Sequence, residues 1–111
     1  MPILQVSLIL LLLSVGWAAD FSGHVVSVLD GDTIEVLHNN RAERIRLNAI
    51  DCPEKGQAYG KRAKQATSEL VFGKEVTLIT HGLDKYGRTI ADLSLPDGVI
   101  VNVELVRNGW C

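Results

Sequence analysis

The sequence predicts a mainly β domain, a five-stranded barrel with one helix between the third and fourth strands and a short helix near the C-terminal end. Two observations carry that expectation. Five short segments are either rich in β-branched residues or alternate polar with apolar residues, and each is bounded by Gly, Asn, Asp or Pro. A single longer stretch repeats its apolar residues at helical spacing instead.

The first strand is read at His24-Val25-Val26-Ser27-Val28-Leu29 and the second at Thr33-Ile34-Glu35-Val36-Leu37. Asp30-Gly31 between them is a hairpin signal, because glycine accepts the positive φ of a tight turn. His38-Asn39-Asn40 makes a second turn into the alternating segment Arg44 to Ile50, which completes a meander. Pro53 interrupts the chain, and the helix is placed over Gln57 to Val71, with Tyr59, Ala63, Ala66 and Leu70 on one face and Gly73 at its end. Strands follow at Glu75 to Thr80 and Thr89 to Leu95, joined by a polar loop from His81 to Arg88. After the turn at Pro96-Asp97-Gly98, a short helix is expected over Asn102 to Asn108. Five strands with a helix between the third and fourth is the element order of an OB-fold.

The chain has 111 residues, and its first twenty hold much of its apolar content. The run Ile3 to Val15 is too short for a comfortable spanning helix and reads as a signal peptide over residues 1–18, cleaved after Ala18 or, as second choice, Ala19. That leaves one domain over residues 19–111, secreted or periplasmic, without stable membrane association; an uncleaved anchor is the alternative. Export makes Cys52 and Cys111 candidates for a disulfide, against free or intermolecularly paired thiols. A formal net charge of -2 argues against a module that relies only on a basic face to bind nucleic acid, and leaves a hydrolase open.

Polar residues without an obvious structural duty concentrate in four segments: Asp30-Gly31-Asp32-Thr33, Arg44-Ile45-Arg46-Leu47, Asp51-Cys52-Pro53-Glu54 and Asp84-Lys85-Tyr86-Gly87-Arg88. Each falls at a strand end or in a loop, so barrel closure can gather them on one rim. The set suits phosphodiester hydrolysis, in which water loses a proton while extra charge builds on the phosphoryl oxygens. Asp32 and Asp51 suit a hard cation, Arg46 and Arg88 offer planar donor forks to phosphate, and Glu54 remains as the base.

These four segments, in this order and at these separations, resemble the thermonuclease family typified by staphylococcal nuclease, over about residues 21 to 110. The resemblance implies Ca2+ as the cofactor, held by Asp32, Asp51 and the backbone carbonyl of Cys52, where the typical member has Thr. It implies Glu54 as general base, Arg46 and Arg88 as phosphate-contacting catalytic residues, and Lys85 and Tyr86 as substrate-binding residues. Single-stranded or locally melted DNA and RNA are the implied substrates, cleaved by an endonuclease working as a monomer. The family pattern continues beyond the segment resembling Leu105 to Gly109 into a further helix, which this sequence is expected to lack.

Taken alone, several residues have plainer readings. Asp30 is read as a turn residue, and Lys61, Arg62 and Lys64 as the solvated side of the helix. His24, His38 and His81 lack metal-ligand spacing, and Trp110 is expected to pack against a segment outside this sequence. A noncatalytic nucleic-acid-binding module of the same fold is the alternative function.

Overall fold

The computed structural model describes residues 20–111, so the expected leader over residues 1–18 lies outside the described residues. Among the described residues no helix is long and apolar enough to cross a membrane. The elements are β1 (Phe21–Asp30), β2 (Thr33–His38), β3 (Arg41–Leu47), α1 (Gly60–Val71), β4 (Glu75–Leu83), β5 (Thr89–Ser94) and α2 (Val101–Arg107). The strands close into a barrel in the order β1-β2-β3-β5-β4, as the OB-fold expectation required.

Strand β1 serves two neighbours in succession. Phe21 to His24 pair with β4, and Val25 to Asp30 pair with β2 through two register shifts that add local twist. The β2–β3 hairpin turns at Asn39 and Asn40, both left-handed (φ 54° and 64°), as the two-residue Asn-Asn signal implies. Strands β4 and β5 pair antiparallel, and the last of the five seams is a parallel pairing of β3 with β5 over only three pairs, Ile45 with Thr89, Arg46 with Ile90 and Leu47 with Ala91.

Alternation fills the barrel. Ile34 and Val36 from β2, Ile45 and Leu47 from β3, Val76 and Leu78 from β4, and Ala91 and Leu93 from β5 are all buried in one cluster. Each such aliphatic side chain contributes about 1.5 to 3 kcal/mol by leaving water. Trp110 rests half-buried against this cluster.

Helix α1 starts three residues later than Gln57. Gln57 instead closes a turn in which its side-chain Oε1 accepts the Glu54 N–H at 2.7 Å and its carbonyl accepts the Gly60 N–H at 2.9 Å. A Cβ at Gly60 would collide with the Glu54 carbonyl oxygen, so the close approach of turn and helix requires glycine. The buried face is Gly60, Ala63, Thr67 and Val71, one position on from the expected stripe, and Tyr59 is exposed. Thr67 accounts for the shift. A polar residue was not counted toward the apolar face, yet its hydroxyl is buried and donates to the Gly31 carbonyl at 2.7 Å.

Asn102 performs the same task for α2. It is buried, its Oδ1 accepts the Leu93 N–H at 2.9 Å, and its Nδ2 donates to the Asn48 carbonyl at 3.0 Å and the Ala91 carbonyl at 3.3 Å. Cys52 and Cys111 are joined in a disulfide, which ties the segment before α1 to the residues after α2 and resolves the open choice of thiol state.

Candidate active site

The β1–β2 turn carries Asp32 into a buried position, where a charged group must be paired. Its Oδ2 accepts the Cys52 N–H at 2.8 Å and lies 3.4 Å from Arg46 Nη2, while the Thr33 hydroxyl donates to Oδ1 at 3.1 Å. Its carbonyl accepts the Leu47 N–H at 2.8 Å, which fixes the turn against the end of β3. Gly31 does not adopt the positive φ expected of it. Space explains the glycine: a Cβ there would meet Cys52 and Ala63 at 3.0 to 3.1 Å. Asp30 does more than turn the chain, since its Oδ1 accepts the Lys55 N–H at 3.1 Å and holds the segment after Glu54.

Strand β3 ends at Leu47 rather than Ile50, because Ala49 is left-handed (φ 62°) and bends the chain away. Arg46 spans that bend. Nη1 donates to the carbonyls of Leu47 at 2.9 Å and Ile50 at 2.8 Å, and Nη2 lies 3.5 Å from Asp51 Oδ1. One guanidinium nitrogen therefore stands against both Asp32 and Asp51, although the Asp32 side chain is only 9% exposed and that of Asp51 94%. Among the described residues no three His, Cys, Asp or Glu side chains gather into a metal-binding group. The oxygen donors at hand are these two carboxylates and the Cys52 backbone, a chemistry that suits a hard cation.

The loop Asp84–Arg88 is built around a residue that the sequence reading gave no role. Asp84 Oδ1 accepts the backbone N–H groups of Tyr86 and Arg88, each at 2.9 Å, and Oδ2 accepts Arg88 Nε at 2.7 Å. Desolvation works against the Asp84 charge, but the backbone and side chain of Arg88, then the Tyr86 N–H, outweigh it and hold its pKa below the ordinary value. Binding through Nε leaves the Nη end of Arg88 for a ligand. The acid-to-arginine spacing of four across a glycine was the available signal, and Gly87 does adopt φ 82°. Tyr86 is exposed, with Lys85 Nζ 5.2 Å and Arg88 Cζ 5.4 Å from its ring centre.

Two adjoining clefts result. One, of about 660 Å³, is lined by Arg44, Glu54, Tyr86, Gly87 and Arg88. The other, of about 310 Å³, includes Arg46, Asp84, Lys85, Tyr86 and Arg88 in its lining. The fold thus brings Glu54, Arg46, Arg88, Lys85 and Tyr86 to the two sides of Tyr86 and Arg88, whereas Asp32, Asp51 and Cys52 line neither cleft. Arg44, set aside in favour of Arg46, borders the Glu54 cleft and pairs with Glu35 at 3.2 Å.

Residues 44–111 match the family model described as staphylococcal nuclease homologue. The chain is 44% identical over 109 residues to a micrococcal nuclease of Shigella flexneri, covering 91% of this chain and 63% of that protein. It is 50% identical over 91 residues to a protein named uncharacterized endonuclease from Escherichia coli O157:H7, covering 82% and 60%. With protein ParB of Escherichia coli it shares 43% identity over 97 residues, covering 87% and 51%. It therefore spans between half and two thirds of the length of these relatives. With β4, β5, both helices and the three arginines that line the clefts inside the matched segment, the chain belongs to the staphylococcal nuclease homologue family.

Proposed function

We propose that this chain is a calcium-dependent nuclease that hydrolyses phosphodiester bonds of single-stranded or locally melted DNA and RNA. The observation that carries the reading is the common cleft of Glu54, Arg88, Arg44 and Tyr86, a carboxylate beside two guanidinium groups and an exposed aromatic ring. The relatives named micrococcal nuclease and endonuclease support it.

In this mechanism Glu54 takes a proton from the attacking water, and a surface carboxylate suits that exchange because its proton passes readily to solvent. Arg88, oriented through Nε by Asp84, directs its Nη groups at the phosphoryl oxygens as charge develops there. Arg46 adds positive charge from the second cleft while its Nη1 holds the bend that presents Asp51. Tyr86 stacks on a base, and Lys85 attracts the strand. The carboxylates of Asp32 and Asp51 and the Cys52 carbonyl would hold Ca2+, which would supply further neutralisation of phosphate charge. Residues 1–18 direct export, and the mature monomer works in a periplasm or the medium, where an oxidising environment keeps Cys52 paired with Cys111.

Digestion of single-stranded DNA and RNA by the purified chain, with calcium and with chelator, tests this directly. Cleavage that requires calcium and falls about 100- to 1,000-fold in Arg88→Ala is the expected result. Binding without cleavage at any calcium concentration would replace the reading by a noncatalytic module.

A further inference from the structure

Beyond Glu54 the charge balance of the surface changes. Residues 55–64 contain Lys55, Lys61, Arg62 and Lys64, four of the eleven Lys and Arg of the whole chain, and no acid. None of these four side chains takes part in an ion pair, while seven such pairs occupy other Arg and His residues among the described residues. A depression of about 720 Å³ lies here, lined by Lys55, Tyr59, Lys61 and Arg62 among others. It adjoins the Glu54 cleft at the Glu54-Lys55 peptide, because Glu54 lines one and Lys55 the other.

Tyr59 stands over this depression 71% exposed, as exposed as Tyr86 in the cleft. Its backbone is left-handed (φ 63°, ψ 3°), a conformation that favours Gly or Asn, and while its carbonyl accepts the Ala63 N–H at 2.9 Å its side chain makes no capping hydrogen bond to α1. Neither burial nor helix capping accounts for an aromatic ring at this position. A second depression, of about 510 Å³, flanks Tyr59 and reaches Trp110. The residue is thus a solvent-facing ring among three unpaired cations, the composition that binds single-stranded nucleic acid by stacking and by phosphate attraction.

Building on the nuclease reading, we propose that Tyr59, Lys55, Lys61 and Arg62 form an extended subsite for the substrate strand, with one base stacked on Tyr59 and flanking phosphates held by the cations. The strand runs from Tyr86 in the cleft, past Glu54, to Tyr59. Stacking and phosphate contact are indifferent to base identity, so the subsite raises affinity for length and not for sequence. It also supplies the local basic surface that the overall charge of -2 does not.

The test is equilibrium binding of fluorescent oligothymidylates about four and about twelve nucleotides long, in chelator so that nothing is cleaved. Tyr59→Ala weakens the longer oligonucleotide by about tenfold and leaves the shorter one unchanged. In Lys61→Ala/Arg62→Ala the slope of log affinity against log salt falls by about 0.7 per cation removed. Tyr59→Asn, which suits the left-handed backbone, keeps or raises the thermal midpoint while losing the same affinity, an outcome that a purely structural role for the ring does not produce. Unchanged affinity and salt slope for the longer oligonucleotide in folded variants would overturn the subsite. Equal losses on both lengths would overturn it too. Cleavage is scored separately with calcium: variants that bind as the parent in an active nuclease reject the subsite alone, and length-dependent binding without cleavage rejects the nuclease alone.

Discussion

Replacing Cys111 by Ser opens the covalent link between the segment that carries Asp51 and Glu54 and the residues after α2. The two cysteines are 59 residues apart in sequence. On the chain-entropy model a closed loop of that size restricts the unfolded chain by about 4 kcal/mol. For a domain whose total stability falls in the usual range of about 5 to 15 kcal/mol, that is a large share. Urea unfolding followed by far-ultraviolet circular dichroism reads it directly. At slopes of about 1 to 3 kcal/mol per molar urea, the midpoint of Cys111→Ser falls by about 1.3 to 4 M, and excess reductant shifts the parent protein equally. Cys52→Ser/Cys111→Ser matches the single variant, since the same loop is opened. A loss below about 1 kcal/mol in both variants refutes the reasoning, because it means that the link does not restrict the unfolded chain by the amount its loop length implies.

Four further outcomes follow from particular contacts. Asn102→Ala leaves the buried Leu93 N–H and the Asn48 carbonyl without the partner Asn102 gave them, while the Ala91 carbonyl keeps the Asn48 N–H at 2.8 Å, and lowers unfolding free energy by about 2 to 3 kcal/mol in denaturant titration. Gly60→Ala drives a methyl group into the Glu54 carbonyl, so steady-state turnover falls by more than the accompanying loss of thermal midpoint explains. Glu54→Gln removes the proposed base and reduces kcat by about 100-fold or more while binding of single-stranded DNA is kept. For acid stability, burial disfavours the Glu43 charge, but hydrogen bonds from Thr89 at 2.6 Å and His38 at 3.0 Å prevail and its pKa is lowered, as that of Asp84 is. Groups lowered in the folded state contribute stability that is complete above the ordinary carboxylate range and lost as pH falls through their folded values, so Glu43→Gln flattens the acid limb of a stability-against-pH curve.

The strands were legible because alternation such as Ile34/Val36 and Val76/Leu78 is dictated by a barrel wetted on one side only. The candidate site was legible in part because its segments fall at strand ends and in loops that a closing barrel gathers on one rim, where Glu54, Arg46, Arg88, Lys85 and Tyr86 line two adjoining clefts. What escaped the sequence was polar and cooperative. Nothing in the sequence pattern marks Thr67 or Asn102 as buried until the carbonyls and N–H groups they satisfy are seen across the chain. Asp84 read as one more loop acid, because its role depends on three donors converging on it through a single turn. The start of α1 was misplaced because Gln57 is a good helix former whose side chain is engaged instead by the Glu54 N–H.

The parallel seam between β3 and β5 determines when the clefts exist at all. Arg46 lies within that seam and Arg88 immediately precedes it, so the two guanidinium groups come within reach of each other only once segments more than forty residues apart have found one another. The β1–β3 meander can form from local contacts alone and contains Asp32 and Arg46, but not the loop that orients Arg88. Such late, sequence-distant pairings dominate the folding time of small β domains. Any nuclease activity during refolding therefore trails the recovery of strand signal from the β1–β3 meander, because the β3–β5 seam is the one that brings the two guanidinium groups of the proposed site together.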